Sequence, residues 1–422
     1  MKLPMVDLTD ADEAALAGER GPAVRFAMSV VARMAPFFGA DELLDITAAH
    51  IDSTVYMGES TLEFAERLVD LGARVAVPST LNVSGVDEHG WRQWSVPPDW
   101  AMKAQRQMRA YEAMGCIPTW TCAPYQTDYS PSFGQQIASG ESNAIVYFNS
   151  VVGARTERYP DLLDICAAIV GRVPKAGLHL RENRAGTIVL NLDKVPTALA
   201  CDDSLYPVLG HFMGSRFAGH VPVVDGLVNR PTDDQFKALG AGAASSGATA
   251  MFHVVGHTPE APDLQEALQG GEVPVHTVSM SELRTAREEL TTTSDTLVDV
   301  VLLGSPHFSV EEFSRLRDLV SGRRCHESVK LVVTSSRIVR EIAARNGTLD
   351  EVLRFGGKVT VDTCPLTTPM FGSRETRLMT NSAKYAYYAP GLLKASVVYG
   401  SLSDCVETAV SGSIRIDDSL WR

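Results

Sequence analysis

The sequence predicts an α/β protein made of several layers of helices packed on mainly parallel sheets. One indication is the last third of the chain, where residues 297–303 and 329–334 are mainly apolar and a helical segment separates them. Strands that are apolar on both faces belong to parallel sheets covered by helices on each side. A second indication is a short apolar segment, 74–78, that leads directly into Ser79, Thr80, Leu81 and Asn82. Such a strand followed by a small polar turn is a common way for α/β proteins to present ligand-binding groups.

The start of the chain is predicted to be mainly helical. Thr9 and Asp12 have the spacing of a capping box and predict a helix that ends at Gly18. Residues 61–71 carry apolar side chains on one helical face, and Gly72 ends that helix. The helices predicted in this region cover residues 10–18, 22–37, 61–72 and 99–115.

The later elements alternate between strand and helix. Strands are predicted at residues 187–192, 251–255, 297–303, 329–334, 359–361 and 395–399, and helices at 161–170, 310–319, 338–346 and 404–410. The small-residue segment 241–247, AGAASSG, indicates close packing or a tight turn rather than a flexible linker. Residues 304–309 are predicted to be a loop. We predict an N-terminal helical segment at 1–45, a first α/β part at 46–285 and a second at 286–422.

Composition narrows the class of protein. A length of 422 residues predicts two or three domains, and a net charge of -13 without a basic stripe argues against nucleic-acid binding. No apolar run reaches the ~20 residues of a membrane span, and the acidic N-terminus lacks the apolar core of an export signal. Seven cysteines without framework spacing indicate a reduced protein, which we expect to be cytoplasmic.

Three cysteines have the same predicted position relative to a strand. Cys122 follows a short β-prone segment at 119–121, Cys364 follows the strand 359–361, and Cys405 follows the strand 395–399 after a brief turn. Ligands of parallel sheets bind outside the carboxyl ends of the strands, so these thiols are expected at the functional edge of their sheets, where three thiolates can hold an iron–sulfur cluster with one iron open. The alternative for each is a small buried hydrophobe, and the absence of CxxC makes the spacing a weak metal signal.

His50 and Asp52 are two residues apart, which places both side chains on one face of an extended segment. Such a pair is suited to proton transfer; the alternative is a polar turn before a helix. His253 flanks the end of a strand. For this histidine taken alone, a structural role with satisfied hydrogen bonds is the favoured interpretation. The segment containing His307 is equally compatible with a turn that leads into a helix.

Lys384 stands among small and aromatic residues, which predicts burial and a lowered pKa, and with them a role as base or carboxylate ligand. The alternative is a surface lysine. Arg155 and Arg158 have the fork geometry that binds carboxylates, although either can instead pair with Glu157 or Asp161. They belong to the stretch 116–158, where polar side chains interrupt an apolar segment at 144–148.

Nine motifs occur in an order that resembles the large catalytic subunit of the aconitase X family. They are HIDSTVYMGE, GARVAVPSTLN, TCAPYQ, GESNAIVYFNSVVGARTERY, FHVVGHTPEA, LGSPHFS, VDTCP, NSAKYAYYAPG and SLSDCVETA. The resemblance runs from about residue 45 to residue 410 and covers most of the chain.

The resemblance implies an aconitase-like core of several α/β/α domains and a hydro-lyase that dehydrates a small hydroxy acid. Bacterial members convert cis-3-hydroxy-L-proline to Δ1-pyrroline-2-carboxylate, and an archaeal branch acts on mevalonate 5-phosphate. The implied iron–sulfur centre is [2Fe-2S] or [4Fe-4S], with a single iron as a further possibility, and its implied ligands are Cys122, Cys364 and Cys405. A small swivel domain is expected on a separate chain, from which it covers the site and supplies a catalytic serine.

The roles expected for individual residues follow from this resemblance and from the patterns above. The catalytic candidates are His50, Asp52, Glu59 and Lys384. The substrate-binding candidates are Ser79, Thr80, Asn82, Glu141, Ser142, Asn143, Arg155, Thr156, Arg158 and His253. Two alternatives stay open. One is a mevalonate 5-phosphate dehydratase, although the sequence shows no further cluster of lysine and arginine that would bind the phosphate. The other is a non-catalytic iron–sulfur scaffold whose partner binds the substrate.

Overall fold

The computed structural model of the chain describes residues 6–127, 129–372 and 376–422. The described strands form four sheets with helices packed against them, and every strand pairing is parallel except that in the two-stranded sheet. The predicted α/β class with mainly parallel sheets is therefore confirmed. The first five residues of the predicted segment 1–45 lie outside the described residues.

The first part of the chain folds around a short parallel sheet. Its elements are α1 (Asp10–Ala17), α2 (Pro22–Met34), β1 (Leu43–Asp45), β2 (Ala49–Ile51), α3 (Glu59–Asp70), β3 (Ser79–Leu81), α4 (Pro98–Ala113), β4 (Ala138–Ser139), α5 (Ser142–Tyr147), α6 (Leu163–Val170) and β5 (Arg172–Pro174). Strands β3, β2 and β4 lie side by side in that order, whereas β1 pairs with β5 in a separate antiparallel ribbon. The capping box of α1 is confirmed: Thr9 Oγ1 accepts the Asp12 N–H and the Asp12 carboxylate accepts the Thr9 N–H.

The parallel sheet of the first part has one apolar face and one polar face. Ala49, Ile51, Leu81 and Ala138 join a hydrophobic core that also contains residues of α2, α4 and α6. Because successive side chains of a strand point to opposite faces, the residues between them face the other way. The polar side chains on the other face of β2, β3 and β4 are therefore available for a functional site.

The second part contains a four-stranded parallel sheet. Its elements are β6 (Ile188–Asn191), α7 (Thr197–Ala200), α8 (Leu205–Arg216), β7 (Pro222–Asp225), α9 (Asp233–Gly247), β8 (His253–Val254), α10 (Leu264–Ala267), β9 (Val275–Thr277) and α11 (Met280–Glu289). The strands lie in the order β8-β7-β6-β9.

Helices α8 and α9 approach each other where both carry glycine. A Cβ at Gly214 would lie 2.5 Å from the carbonyl oxygen of Ala243, and a Cβ at Gly242 would lie 2.7 Å from that of Pro207. Real Cβ atoms do not come so close to backbone. The prediction of close packing for segment 241–247 is confirmed.

The third part is a five-stranded parallel sheet covered by helices. Its elements are β10 (Val300–Phe308), α12 (Val310–Val320), β11 (Lys330–Ser335), α13 (Arg337–Arg345), α14 (Thr348–Phe355), β12 (Lys358–Val361), β13 (Arg377–Thr380), α15 (Ala383–Leu392), β14 (Ser396–Tyr399) and α16 (Leu402–Ser411). The order β12-β11-β10-β13-β14 reverses direction at the central strand β10. Crevices at the carboxyl ends of strands beside such a reversal are where open α/β sheets bind ligands.

The predicted loop at 304–309 is wrong, because β10 continues to Phe308, which pairs with Ser335 of β11. Glycine and proline normally interrupt strands. Here Gly304 and Pro306 are accommodated by an irregularity in register between Leu303 and Phe308.

Two short strands predicted in the first part are also wrong. The amides of Val75 and Ala76 donate to the carbonyls of Met114 and Ala168, at the ends of α4 and α6, instead of to a neighbouring strand. Those carbonyls belong to the free groups that every helix end must satisfy. In the segment 119–121, Trp120 has a φ of 45°, which a strand does not allow.

None of the helices formed by the described residues has the length and apolar character that crossing a membrane requires. The domain boundaries at residues 45 and 285 stay a prediction. Sheets and cores show which elements pack together, but they do not show which segments fold independently.

Replacing Gly214 by alanine tests the close approach of α8 and α9. We expect Gly214→Ala to lower the free energy of unfolding by about 1–3 kcal/mol, because the added methyl overlaps the backbone of α9 and the helices must separate. Urea denaturation followed by far-ultraviolet circular dichroism measures the change.

Gly391→Ala in α15 is the matched control, since a Cβ at that position meets nothing within 4 Å. Alanine is the better helix former, so this variant should be as stable as the parent or more stable. An equal loss of stability in both variants would contradict the packing argument.

Candidate active site

The polar face of the first sheet carries two rows of side chains. The register of β3, β2 and β4 places Thr80, His50 and Ser139 side by side. Two residues further along each chain, on the same face, stand Asn82, Asp52 and Glu141. The sheet therefore assembles the His50–Asp52 pair with the predicted polar residues of two other segments.

His50 is the centre of the first row and is fully buried. Its Nδ1 lies 2.9 Å from Thr80 Oγ1, and its Nε2 has no hydrogen-bond partner among the described residues. Burial lowers the pKa of His50 to about 4, although the charge of Glu141 opposes the shift. The imidazole is therefore neutral at physiological pH and presents one ring nitrogen to the site.

Asp52 is the centre of the second row and accepts a hydrogen bond from the Asn82 amide. Burial raises the pKa of the Asp52 carboxyl well above its usual range, and the nearby charges of Asp161, Glu141 and Asp164 raise it further. The hydrogen bond from Asn82 opposes this shift without cancelling it. The raised pKa favours the protonated form of the Asp52 carboxyl, which is the form that can donate a proton.

Asp164 of α6 supports the turn that follows β2. Its carboxylate accepts hydrogen bonds from the amides of Asp52 (2.6 Å) and Ser53 (3.1 Å) and from the Ser53 hydroxyl (2.6 Å). Burial raises the pKa of Asp164 to about 6, and these hydrogen bonds oppose the shift. The sequence did carry a signal for this residue: it is the sole charged residue in an otherwise apolar helix, LDICAAIV.

Gly140 links the two rows at the end of β4. A Cβ at this position would lie 2.8 Å from Asp164 Oδ2 and 2.8 Å from Asp52 Cβ. Glycine therefore lets Glu141 reach its place beside Asp52.

Lys384 of α15 reaches across from the third part of the chain and forms a buried ion pair with Glu141. Its Nζ lies 2.5 Å from Glu141 Oε1 and 3.4 Å from Ser142 Oγ, and the Glu141 Oε2 atom accepts the Ala144 N–H (2.6 Å) at the start of α5. The side chains of Lys384 and Glu141 are 13% and 4% exposed.

The ion pair keeps both partners charged. Burial alone raises the pKa of Glu141, but Lys384 and the backbone N–H groups of α5 hold it below its usual range. Burial alone lowers the pKa of Lys384, yet Glu141 and the neighbouring thiols raise it. The prediction of a lowered lysine pKa is therefore wrong, because the carboxylate outweighs the apolar surroundings. The pair with Glu141 therefore keeps Lys384 in its charged form, and its predicted catalytic role stays a prediction.

Cys122 and Cys364 lie beside this cation. Burial raises the pKa of Cys122 to about 12, with Glu141 adding to the shift and Lys384 opposing it. Burial likewise raises the pKa of Cys364, and Lys384 opposes that shift too. The Cys122 sulfur accepts a hydrogen bond from the backbone N–H of His307 (3.3 Å), and the Asn143 amide donates to the Cys122 carbonyl (3.1 Å).

Cys405 is not part of this cluster. It lies in α16, fully buried in the core beneath the third sheet together with Val406 and Ala409. Within the described ranges, no three His, Cys, Asp or Glu side chains gather closely enough to hold a metal ion. The donors that fit an iron centre are the neighbouring thiols Cys122 and Cys364, since thiolates are the usual ligands of iron–sulfur clusters. The three-cysteine ligand set stays a prediction that the described residues do not assemble.

Several other predicted site residues lie elsewhere or serve the backbone. Glu59 pairs with Lys103 on the surface. Ser79 Oγ donates to the Val77 carbonyl (2.8 Å), and Thr156 Oγ1 accepts the N–H of Ser139 and so holds β4 in place.

The remaining cationic candidates also contact backbone carbonyls. An Arg155 guanidinium N–H donates to the His179 carbonyl over 3.5 Å, and one from Arg158 donates to the Ala248 carbonyl over 2.9 Å. His253 is buried in the second part, with Nε2 2.7 Å from the Arg184 carbonyl oxygen. These contacts do not bring Arg155, Arg158 or His253 to Cys122. The roles predicted for the three residues stay predictions.

The chain matches the aconitase X family models along most of its length. The first-domain model matches residues 5–182, the second-domain model residues 186–288 and the third-domain model residues 298–411.

Named relatives cover nearly the whole chain. It is 47% identical over 406 residues to the cis-3-hydroxy-L-proline dehydratase of Pseudomonas aeruginosa, which spans 95% of this chain and 69% of that protein. Identity to the enzyme of the same name from Hypocrea jecorina is 43% over 412 residues, or 96% of this chain and 69% of the relative. The phosphomevalonate dehydratase large subunit of Methanothermobacter thermautotrophicus is 36% identical over 384 residues, covering 90% of this chain and 93% of that subunit.

The fold also matches a solved structure. The crystal structure of aconitase X from Thermococcus kodakaraensis in its holo-form superposes with a TM-score of 0.86 at 31% identity, covering 96% of this chain and all of the other. The predicted aconitase-like arrangement of α/β domains is thereby confirmed.

A double-mutant cycle tests the pair between Lys384 and Glu141. We expect Lys384→Met to lower the free energy of unfolding by about 3–5 kcal/mol, because it leaves the buried Glu141 carboxylate without its cation. Adding Glu141→Gln removes that charge, so the double variant should lose less than the sum of the two single losses. Urea denaturation curves of the four proteins measure the coupling.

Lys103→Met is the matched control, since Lys103 pairs with Glu59 at the surface. That variant should unfold at the parent's urea concentration. Additive losses in the Lys384 and Glu141 variants would show that the two side chains do not interact.

Proposed function

The chain belongs to the aconitase X family, and we propose that it dehydrates cis-3-hydroxy-L-proline to Δ1-pyrroline-2-carboxylate. The supporting observation is the row Asn82–Asp52–Glu141, of which Asn82 and Glu141 are buried, with Lys384 beside it; it unites a carboxyl of raised pKa and a fixed cation at one site. The relatives named for this activity are 47% and 43% identical to the chain, above the 36% of the phosphomevalonate dehydratase large subunit described above.

Elimination of water from a 3-hydroxy acid needs help at both ends of the breaking bonds. The proton α to the carboxylate is weakly acidic, and the hydroxyl is a poor leaving group until it is protonated. Asp52 is the group that we assign to protonate the departing hydroxyl, since burial and the neighbouring carboxylates raise the pKa of its carboxyl well above the usual range. The enamine left after elimination tautomerises to the cyclic imine.

Lys384 would attract the substrate carboxylate and stabilise the charge that develops there when the α-proton leaves. Its pair with Glu141 keeps the ammonium charged and in place, so the cation is oriented before substrate arrives. Asn82, whose Oδ1 atom is buried without a partner among the described residues, and His50 through Nε2 are the proposed hydrogen-bonding groups for substrate.

The family implies an iron–sulfur centre, and Cys122 and Cys364 are the residues proposed to hold it. When bound, such a centre supplies a Lewis acid for the hydroxyl and the carboxylate.

A small swivel part is proposed to cover the site and to supply the serine base. Support comes from the relative named as a large subunit, a name that implies a small one, and from the single-chain dehydratases, of which the aligned part spans 69%.

The phosphomevalonate alternative requires a site for a phosphate. The buried Arg184 pairs with Glu260, and Arg155 and Arg158 each donate one hydrogen bond to a backbone carbonyl, while Arg155 Nε is buried without a partner among the described residues. The choice of the smaller substrate is therefore supported by the higher identity to the cis-3-hydroxy-L-proline dehydratases.

A substrate panel decides between the two dehydratases. The chain, supplied with the proposed swivel part, should release water from cis-3-hydroxy-L-proline and leave mevalonate 5-phosphate unchanged. Formation of the cyclic imine is followed with an aldehyde reagent that forms a coloured adduct. Turnover of mevalonate 5-phosphate alone would overturn the proposed substrate.

Asp52→Asn separates an enzyme from a scaffold subunit. We expect kcat to fall about 10²–10⁴-fold with little change in KM, because the amide keeps the shape of the site but cannot donate the proton. In the parent, activity should fall as rising pH deprotonates Asp52, and the variant should lack that alkaline limb.

Asp70→Asn, at an exposed position in α3, is the control and should behave as the parent does. If Asp52→Asn retained full kcat and the same pH profile, the proton would come from another group.

A further inference from the structure

His307 is a buried residue that the proposed reaction does not use. It lies one residue before the end of β10, and 1% of its surface is exposed. Hydrogen bonds connect it to elements of all three parts of the chain, and the contacts converge at the two site cysteines.

Toward the first part, His307 contacts Thr121 and Cys122. The His307 Nδ1 atom lies 3.1 Å from Thr121 Oγ1, and the His307 backbone N–H donates to Cys122 Sγ over 3.3 Å. Thr121 Oγ1 in turn accepts the N–H of Ala123 over 3.1 Å. The imidazole therefore holds the residue before Cys122, and the hydroxyl of that residue holds the backbone after it.

Toward the third part, His307 binds the residue before Cys364. Its Nε2 lies 3.1 Å from the carbonyl oxygen of Thr363. A carbonyl only accepts, so Nε2 carries the proton and Nδ1 must accept the hydroxyl hydrogen of Thr121. The hydrogen bonds thus select one neutral tautomer and satisfy both ring nitrogens.

Toward the second part, the carbonyl of His307 accepts from Lys237 of α9 over 3.3 Å. Lys237 is itself buried and pairs with Asp234 and Glu312. This network fixes the backbone on which the imidazole stands.

The geometry has a direct consequence for the thiols. Thr121 and Thr363 each precede a site cysteine, and the rigid ring of His307 spans the space between them. A histidine that only filled space could find partners for its ring nitrogens anywhere in the core. Here both nitrogens bond to residues that directly precede site cysteines, in two different parts of the chain.

We propose that His307 is a positioning residue that sets the spacing and orientation of the Cys122 and Cys364 thiols. The purpose of this positioning rests on the proposed function, in which Cys122 and Cys364 hold the iron centre. The hydrogen bonds of His307 do not depend on that function.

Two substitutions of His307 separate the two sides of the bridge. An asparagine amide sits near the Nδ1 position and a glutamine amide near Nε2, so His307→Asn retains the Thr121 contact and His307→Gln retains the Thr363 contact. On the purified full-length chain, mass spectrometry measures the rate at which iodoacetamide alkylates each cysteine.

We expect Cys364 to react about tenfold faster in His307→Asn and Cys122 about tenfold faster in His307→Gln, as the loss of one buried hydrogen bond implies. The buried Cys116, Cys166 and Cys405 should keep their parental rates. Iron bound per chain should fall in both variants.

Thr121→Val and Thr121→Ser cover the case in which the histidine variants do not fold. Valine removes the hydroxyl at nearly constant volume and should raise the alkylation rate of Cys122. Serine retains the hydroxyl, so Cys122 should be alkylated at the parental rate. His211→Asn is the matched control: His211 is another buried imidazole, paired with Glu289 in the second part, and its loss should leave both site cysteines unchanged.

Equal acceleration at all the buried cysteines would show general loosening and overturn the proposal. Unchanged rates at Cys122 and Cys364 in the folded variants would also overturn it. Because alkylation is measured without substrate, this result is independent of the substrate panel, whose failure would leave the positioning role intact.

Discussion

The site depends on one buried ion pair, that between Lys384 of the third part and Glu141 of the first. Removing two charges from water costs several kcal/mol per ion, which the pair recovers only with short contacts and additional hydrogen bonds. Glu141 meets that condition, since its second oxygen accepts an N–H at the start of α5. The pair thereby fixes how the third part of the chain sits against the polar face of the first sheet.

The ion pair also sets the protonation of its neighbours. Glu141 stays ionised because of Lys384, and its negative charge then raises the pKa of Asp52. Asp164 also raises the pKa of Asp52. Its own carboxylate accepts hydrogen bonds from the backbone amides of Asp52 and Ser53. Two carboxyl groups in adjacent positions of one row therefore differ in pKa: that of Glu141 is lowered by its cation, and that of Asp52 is raised, as the proposed proton donor requires. Environments that push neighbouring groups apart in pKa are how an active site obtains separate acid and anion functions.

Much of the site could be predicted, because strand geometry is periodic. The spacing of His50 and Asp52 fixed their shared face, and the strand-end rule brought Cys364 to the site. The same rule failed for Cys405 because a turn and the first residues of α16 follow β14, and the helix directs that thiol into the core. Local sequence also could not show that the contacts of Arg155 and Arg158 are backbone carbonyls.

Long-range partners were the part that sequence could not supply. The pKa of Lys384 is decided by Glu141, a residue 243 positions away along the chain. His307 was hidden for a similar reason: Gly304 and Pro306 indicate a loop, and the continuation of β10 through them depends on its pairing with β11. Both errors came from weighing local composition where tertiary contacts decide.

Stereochemistry then constrains where the remaining catalytic group must lie. In cis-3-hydroxy-L-proline the hydroxyl and the carboxylate share one face of the ring, so the α-hydrogen lies on the opposite face. A proton donor for the hydroxyl and a base for the α-hydrogen must therefore approach from opposite sides of the substrate. Asp52 stands on the polar face of the sheet β3-β2-β4, and Lys384 reaches that same face from α15. With the donor and the carboxylate's cation on the sheet side, the base has to come from the side that faces away from the sheet, which is where a covering swivel part would place it.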